Sequence, residues 1–178
     1  MRIPFEIDSP NIDETALPNE TPLDLCRRLS LAKAQAVAKR HTASWVIGSD
    51  QVAVLNQTIY GKPGTHAKAV AMLKDLSGNT LQFHTALCLL HTDTQDFQMD
   101  VVTIEAQFRV LNEVEIEHYL LTEQPYDCAG SARSEGLGIT LLERMTGDDP
   151  SALVGLPLIS LTRMLRHWGL MLPLAARS

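Results

Sequence analysis

Trp45-Val46-Ile47-Gly48-Ser49-Asp50-Gln51-Val52 is the stretch on which the fold turns. Its first three residues are apolar and partly β-branched, the composition of a buried strand. They lead into Gly-Ser-Asp-Gln, so the expectation is a strand that runs out there and delivers the Asp50 carboxylate at its carboxyl end. In open α/β sheets, ligands bind outside that end. Just downstream, Lys62 sits between Gly61 and Pro63, in a turn that constrains its backbone. A carboxylate and an ammonium on two constrained loops suit a metal-assisted reaction on a phosphate ester. By pattern alone, an Asp at a strand end is more often a turn residue or a helix cap than a catalyst.

Composition narrows the partners. The 178 residues suit one domain with a full core. Fifteen basic against 21 acidic residues leave a formal charge of −6, which argues against broad binding to nucleic acid or anionic membrane. A small phosphorylated ligand stays compatible, because a few Lys and Arg can focus charge in one cleft. Cys26, Cys88 and Cys128 lie far apart, with no C-x-x-C and no His at ligand spacing, so zinc is not expected. Free thiols suit a reducing cytoplasm. No apolar run reaches transmembrane length, and Met1-Arg2-Ile3-Pro4-Phe5-Glu6 is not the start of a signal peptide.

Along the chain, Ile3 to Ile7 alternates like a strand, and Asp8 to Glu20 is a polar loop. Thr21-Pro22-Leu23-Asp24 opens a helix to about Lys39, with Thr as cap and Pro in first position. Leu25, Leu29, Ala32 and Ala36 form its apolar stripe, and Lys33 sits at the edge, either snorkelling or reaching a site. Val52 to Tyr60 reads as a hairpin. Thr65 caps a helix to about Leu76, closed by Gly78. Thr80–Leu90 and Val101–Val110 are strands joined by the polar run His91 to Gln98. Asn112 and Glu115 form a capping-box pattern opening a helix through Leu121. Residues 128 to 138 are a Gly- and Ser-rich loop without P-loop order. Ile139 to Leu142 is a strand, and a last amphipathic helix ends near Trp168. The element order fits a mixed α/β domain around one long sheet.

In this order the segments become recognisable. Asp13-Glu14-Thr15, Leu31-Ala32-Lys33-Ala34, Gly48-Ser49-Asp50-Gln51-Val52, Gly61-Lys62-Pro63 and Ala129-Gly130-Ser131 through Gly136-Leu137-Gly138 are followed by Val154-Gly155-Leu156-Pro157-Leu158. The ordered set resembles the Maf family of nucleoside triphosphate pyrophosphatases, historically linked to septum formation. The resemblance covers almost the whole chain and implies one mixed-sheet, Maf/ITPase-like α/β domain with flanking helices over residues 1–178. Within the family it is most similar to the branch acting on 7-methyl-GTP, which has Gln after the catalytic Asp and a Ser-Glu-Gly triplet, as at Gln51 and Ser134-Glu135-Gly136. Members of the family begin with an apolar strand and a Ser-x-Ser-x-x-Arg-Arg phosphate loop, and Phe5-Glu6 aligns with the strand that follows these. The first strand and helix are therefore expected to be missing here, with Arg27-Arg28 in mid-helix no substitute. Weak turnover, an exposed sheet edge and a tendency to associate are the expected consequences.

The activity implied is hydrolysis between the α and β phosphates, giving a nucleoside monophosphate and pyrophosphate, with Mg²⁺ or Mn²⁺. Lys33 and Lys62 match the family's phosphate-binding lysines. Glu14 matches an acidic residue that helps hold the metal or water. Asp50 matches the proton acceptor and is expected to serve as metal ligand, base or both. Gln51 and Glu135 match the base-selective positions. N7-methylation gives guanine a positive charge, which a carboxylate at Glu135 complements while accepting from the N1–H and N2–H edge. Read alone, Glu135 also fits a solvated loop residue paired with Arg133. The resemblance further implies a homodimer, and the free thiols lead to the expectation of a cytoplasmic protein. A nucleotide-binding regulator of cell division, weakened in catalysis, is the rival reading.

Overall fold

The computed structural model describes Met1 and residues 3–173. Its centre is strand β1, Trp45–Leu55, which passes without a break through Gly48, Ser49, Asp50 and Gln51. The expected end of the strand at Gly48 does not occur, because β3 (Thr80–His91) pairs with β1 from Trp45 to Val54. A backbone with a full ladder on one side has no reason to leave the extended conformation at a glycine. Asp50 is therefore a mid-strand residue opposite Ala86.

The hairpin expected over Val52–Tyr60 forms. Asn56 and Gln57 both take positive φ, 48° and 69°, which matches the twist of the flanking strands. It returns only as the short strand β2, Thr58–Ile59. β4, Phe97–Phe108, starts earlier than the polar turn suggested, and β5, Leu142–Thr146, completes the order β2-β1-β3-β4-β5. An α/β domain was expected and is present, but its sheet is not mixed among the described residues: all four pairings are antiparallel. β2 pairs only with Val54 and Leu55, so along Trp45 to Ala53 no strand among the described residues pairs with the outer edge of β1.

The helices cover both faces. α1, Pro22–Ala38, begins as its sequence dictates: the Thr21 side chain accepts from the Asp24 amide, and Pro22 occupies the first turn. It packs Leu25, Cys26, Leu29, Ala34 and Ala38 on Val46, Val52, Val54, Ala86, Cys88 and Leu90. The buried face is thus rotated from the expected Leu25, Leu29, Ala32, Ala36 stripe, and Lys33 lies beside buried Ala34. On the other face, α2 (His66–Leu76), α3 (Glu113–Glu123) and α4 (Leu158–His167) close over Ala53, Leu81, Phe83, Leu87, Leu89 and Ile104. Asn112 and Glu115 make the capping box read from the sequence, each side chain bonding to the other's backbone N–H.

Two expected strands are absent. Residues 3–20 carry no helix or strand; Phe5 and Ile7 are 79% and 87% exposed, with Pro4 and Pro10 lacking ladder donors. Alternation alone does not make a strand where no neighbour offers a ladder. Ile139 lies in a 3-10 turn over Leu137–Leu141, and the strand begins only at Leu142. A second 3-10 turn over Pro150–Val154, not foreseen, precedes α4.

Gly48 sets how close α1 can come. A Cβ at this position would lie 2.2 Å from the Ser30 carbonyl oxygen and 2.7 Å from the Ala34 amide nitrogen. Gly48→Ala must push α1 outward and is expected to cost about 1–3 kcal/mol in urea denaturation. Gly61→Ala, where nothing lies within 4 Å of an added Cβ, is the control and should be near neutral.

Candidate active site

Because β1 is continuous, its side chains alternate between the two faces. Asp50 falls on the α1 face with Val46, Gly48 and Val52. Gln51 falls on the opposite face. This alternation decides which of the sequence-derived residues meet.

On the α1 face, three of them converge. The Lys33 ammonium donates to Asp50 Oδ1 at 2.6 Å and lies 2.9 Å from Glu14 Oε1. The Asp50 carboxylate is 9% exposed, Lys33 19% and Glu14 57%, so the cluster grades from the sheet outward to solvent. Burial pushes the Asp50 carboxyl above the ordinary aspartate range, while the hydrogen bond from Lys33 pulls the other way. Burial also opposes charge on Lys33, but its bonds to Asp50 and Glu14 outweigh that, and the ammonium is held to higher pH than usual. Lys33 is therefore a standing positive charge between two carboxylates rather than a snorkelling surface residue. Such a place, cationic between two acidic oxygens and open on one side, suits hard cations and phosphate oxygens.

Gln51 is engaged elsewhere. Its amide nitrogen lies 2.9 Å from Thr85 Oγ1, 2.9 Å from the Ala152 carbonyl and 3.2 Å from that of Leu153. Ser49, also on this face, lies 2.8 Å from the carbonyl oxygens of both Ala86 and Gly155. Together they hold the turn at residues 150–155 against the sheet. Buried Asp149 continues this network, accepting from the Ile159 and Ser160 amides at 2.7 and 3.3 Å, which caps α4. Ser49 stands in the Gly48–Val52 stretch with no role legible from sequence, and nothing in the sequence marks Thr85 or Asp149. The Ser49–Gln51 spacing on one strand face is the signal that could have found Ser49.

Lys62 is exposed and makes no ion pair among the described residues. Its turn is fastened to the glycine-rich loop: the Gly130 amide donates to the Gly61 carbonyl at 3.3 Å, and the Gly64 amide to that of Tyr126 at 2.9 Å. Glu135 lies on the same loop, half exposed, 3.9 Å from the Arg133 guanidinium. Glu123, at the end of α3, accepts from the Leu137 amide at 2.9 Å and lies 3.5 Å from Arg133. A Cβ on Gly136 would lie 2.6 Å from the Glu123 carboxylate, so any larger residue there requires that side chain to move. No hydrogen bond or ion pair among the described residues joins Glu135 to the Lys33 cluster.

A family model described as Maf-like protein matches residues 1–168. A protein of Cupriavidus metallidurans named 7-methyl-GTP pyrophosphatase is 55% identical over 169 residues, covering 95% of this chain and 85% of the relative. Proteins of the same name from Aromatoleum aromaticum and Nitrosococcus oceani are 54% and 53% identical, with 97% and 94% of this chain covered and 89% and 84% of the relatives.

The ion pair makes a testable demand. Removing only Lys33 leaves two facing carboxylates without a counter-charge, so Lys33→Met should cost about 1–3 kcal/mol in urea denaturation at neutral pH. In the Asp50→Asn background the same change should cost measurably less. Equal costs in both backgrounds would mean the contact contributes nothing to stability.

Proposed function

The chain belongs to the Maf family, and we propose that it is a nucleoside triphosphate pyrophosphatase acting on 7-methyl-GTP in the cytoplasm. The observation that carries the reading is the Lys33–Asp50 contact at 2.6 Å with Glu14 beside it. A triphosphate repels an incoming water, so hydrolysis needs positive charge on the phosphate oxygens and a group to accept the water's proton. Lys33 and Lys62 supply charge from α1 and from the turn after β2. Asp50, anchored in mid-strand, accepts the proton as water attacks the α-phosphorus. The bridging bond to the β-phosphate breaks, leaving a nucleoside monophosphate and pyrophosphate.

Glu14 and Asp50 would hold a divalent cation, Mg²⁺ or Mn²⁺. The chemistry of the pair fits: two carboxylates already enclose one cationic centre, and Mg²⁺ is commonly held by one or two carboxylates plus substrate phosphates. When bound, the metal neutralises phosphate charge and makes its coordinated water more acidic. Aspartate, with an ordinary pKa of about 4, is otherwise a poor base; burial that raises the Asp50 carboxyl works in the same direction.

Selection of the base falls to the glycine-rich loop. Glu135 is free to exchange its long contact with Arg133 for the cationic edge of 7-methylguanine. Gln51, engaged with the turn at residues 150–155, supports the sheet behind Asp50.

Asp50→Asn keeps the shape of the side chain and should lower kcat by about 10²–10⁴-fold in pyrophosphate release. Near-normal turnover would remove Asp50 from the chemistry. Glu135→Gln should reduce the preference for 7-methyl-GTP over GTP by about one to two decades in kcat/KM, the worth of a charge-assisted contact of roughly 1–3 kcal/mol. An unchanged ratio would place base selection elsewhere.

A further inference from the structure

α1 sends a second cation to the loop that carries Glu14. Arg28 Nε donates to Glu20 Oε1 at 2.6 Å and Nη2 to Glu20 Oε2 at 2.8 Å. The same Nη2 donates to the Thr15 carbonyl at 3.0 Å. The Glu20 side chain is only 7% exposed and also accepts from the Leu17 amide at 2.9 Å. The Glu20 amide in turn donates to the Leu17 carbonyl at 3.1 Å, and Asp13 accepts from the Thr15 amide at 2.9 Å.

Apart from the Glu14–Lys33 bridge itself, these contacts are what defines the segment. Residues 13–20 carry no helix or strand. Ile12, before them, packs on the Leu25, Cys26 and Leu29 cluster, and Pro22 after them begins α1. Between these anchors Glu14 is itself 57% exposed, so packing does not decide where its carboxylate points. The Arg28 fork fixes the backbone that carries it to Lys33: it grips the carbonyl of the residue after Glu14 and the far end of the loop at once. Among the described residues, every hydrogen bond of the Arg28 side chain goes to this loop, whereas neighbouring Arg27 pairs only with Asp24 on its own helix. Only a guanidinium suits the place. Its planar fork takes both carboxylate oxygens and keeps an N–H for the carbonyl, which one ammonium does not reproduce.

We infer that Arg28 is a positioning residue for the reaction: through Glu20 and the Thr15 carbonyl it holds the loop that presents Glu14 to Lys33 and Asp50. The inference rests on the reading of Glu14, Lys33 and Asp50 as the reacting cluster. Arg28 acts on that cluster through the backbone and leaves the phosphates to the lysines.

The test is a double-mutant cycle on the full chain, with pyrophosphate release from 7-methyl-GTP and hydrogen exchange as readouts. Arg28→Met should lower kcat by about 10–100-fold, the usual cost of losing a group that orients a ligating side chain. KM should stay within about twofold. Arg28→Lys should behave like Arg28→Met. In the Glu14→Gln background, Arg28→Met should have no further effect on kcat. Exchange in the peptide spanning residues 13–20 should quicken while that of α1 does not. If Arg28→Met costs the same factor with and without Glu14, or is rescued by Lys, Arg28 acts directly on substrate or on the whole fold and the proposal is wrong. If Glu14→Gln cripples turnover but Arg28→Met does not, the positioning role alone falls. If neither Glu14→Gln nor Asp50→Asn affects turnover, the reading of the reacting cluster falls, and the role of Arg28 with it.

Discussion

The contact of α1 with Gly48 is the constraint on which the rest depends. The Ser30 carbonyl and the Ala34 amide lie where a side chain at position 48 would begin. That leaves the helix backbone against the strand, and Lys33, between those two contact residues, comes within reach of Asp50 two residues further along β1. A lysine on a helix one side-chain layer farther away would reach only solvent. The same closeness leaves the pair mostly buried, so the Asp50 carboxyl is pushed up by burial while Lys33 keeps its charge against burial. Packing at a glycine thus becomes electrostatics at the site.

The second organising fact is the division of labour between the faces of β1. Asp50 looks toward α1 and the loop of Glu14; Ser49 and Gln51 look toward the turn before α4. One face gathers charge. The other builds a hydrogen-bonded network in which Gln51, Thr85 and the Ala152 carbonyl satisfy one another and the Asp149 carboxylate caps the following helix. Such a network is costly to leave half made, because each buried polar group needs its partner. It gives the strand a rigid back, so that a carboxylate in its middle is carried on fixed backbone rather than on a mobile loop. The remaining polar groups sit on loops tied by a few backbone bonds, as where Gly130 meets Gly61 and Leu137 meets Glu123.

Much of this was legible before any coordinate. Local signals were obeyed: Thr21 with Pro22, Thr65, and Asn112 with Glu115 each open the helix they predict, because a cap is satisfied within a few residues of itself. The ordered motifs from Glu14 to Gly138 pointed to the Maf family, and the family model bears this out. What the sequence alone determined, then, is where three of the helices begin and which family the chain belongs to.

Tertiary structure decided the rest, for one physical reason: a strand is defined by its neighbours. Ile3–Ile7 alternates as well as any strand here, yet without a ladder it stays irregular, with Phe5 and Ile7 exposed, whereas Gly48–Gln51, which reads as a loop, is held extended by β3. That pairing put Asp50 and Gln51 on opposite faces, although they are adjacent in sequence. It also decided that Arg28, unremarkable in the middle of a helix, reaches across to Thr15 and Glu20. No periodicity in the chain encodes that contact, because it joins a helix to an irregular segment whose path only the folded backbone defines.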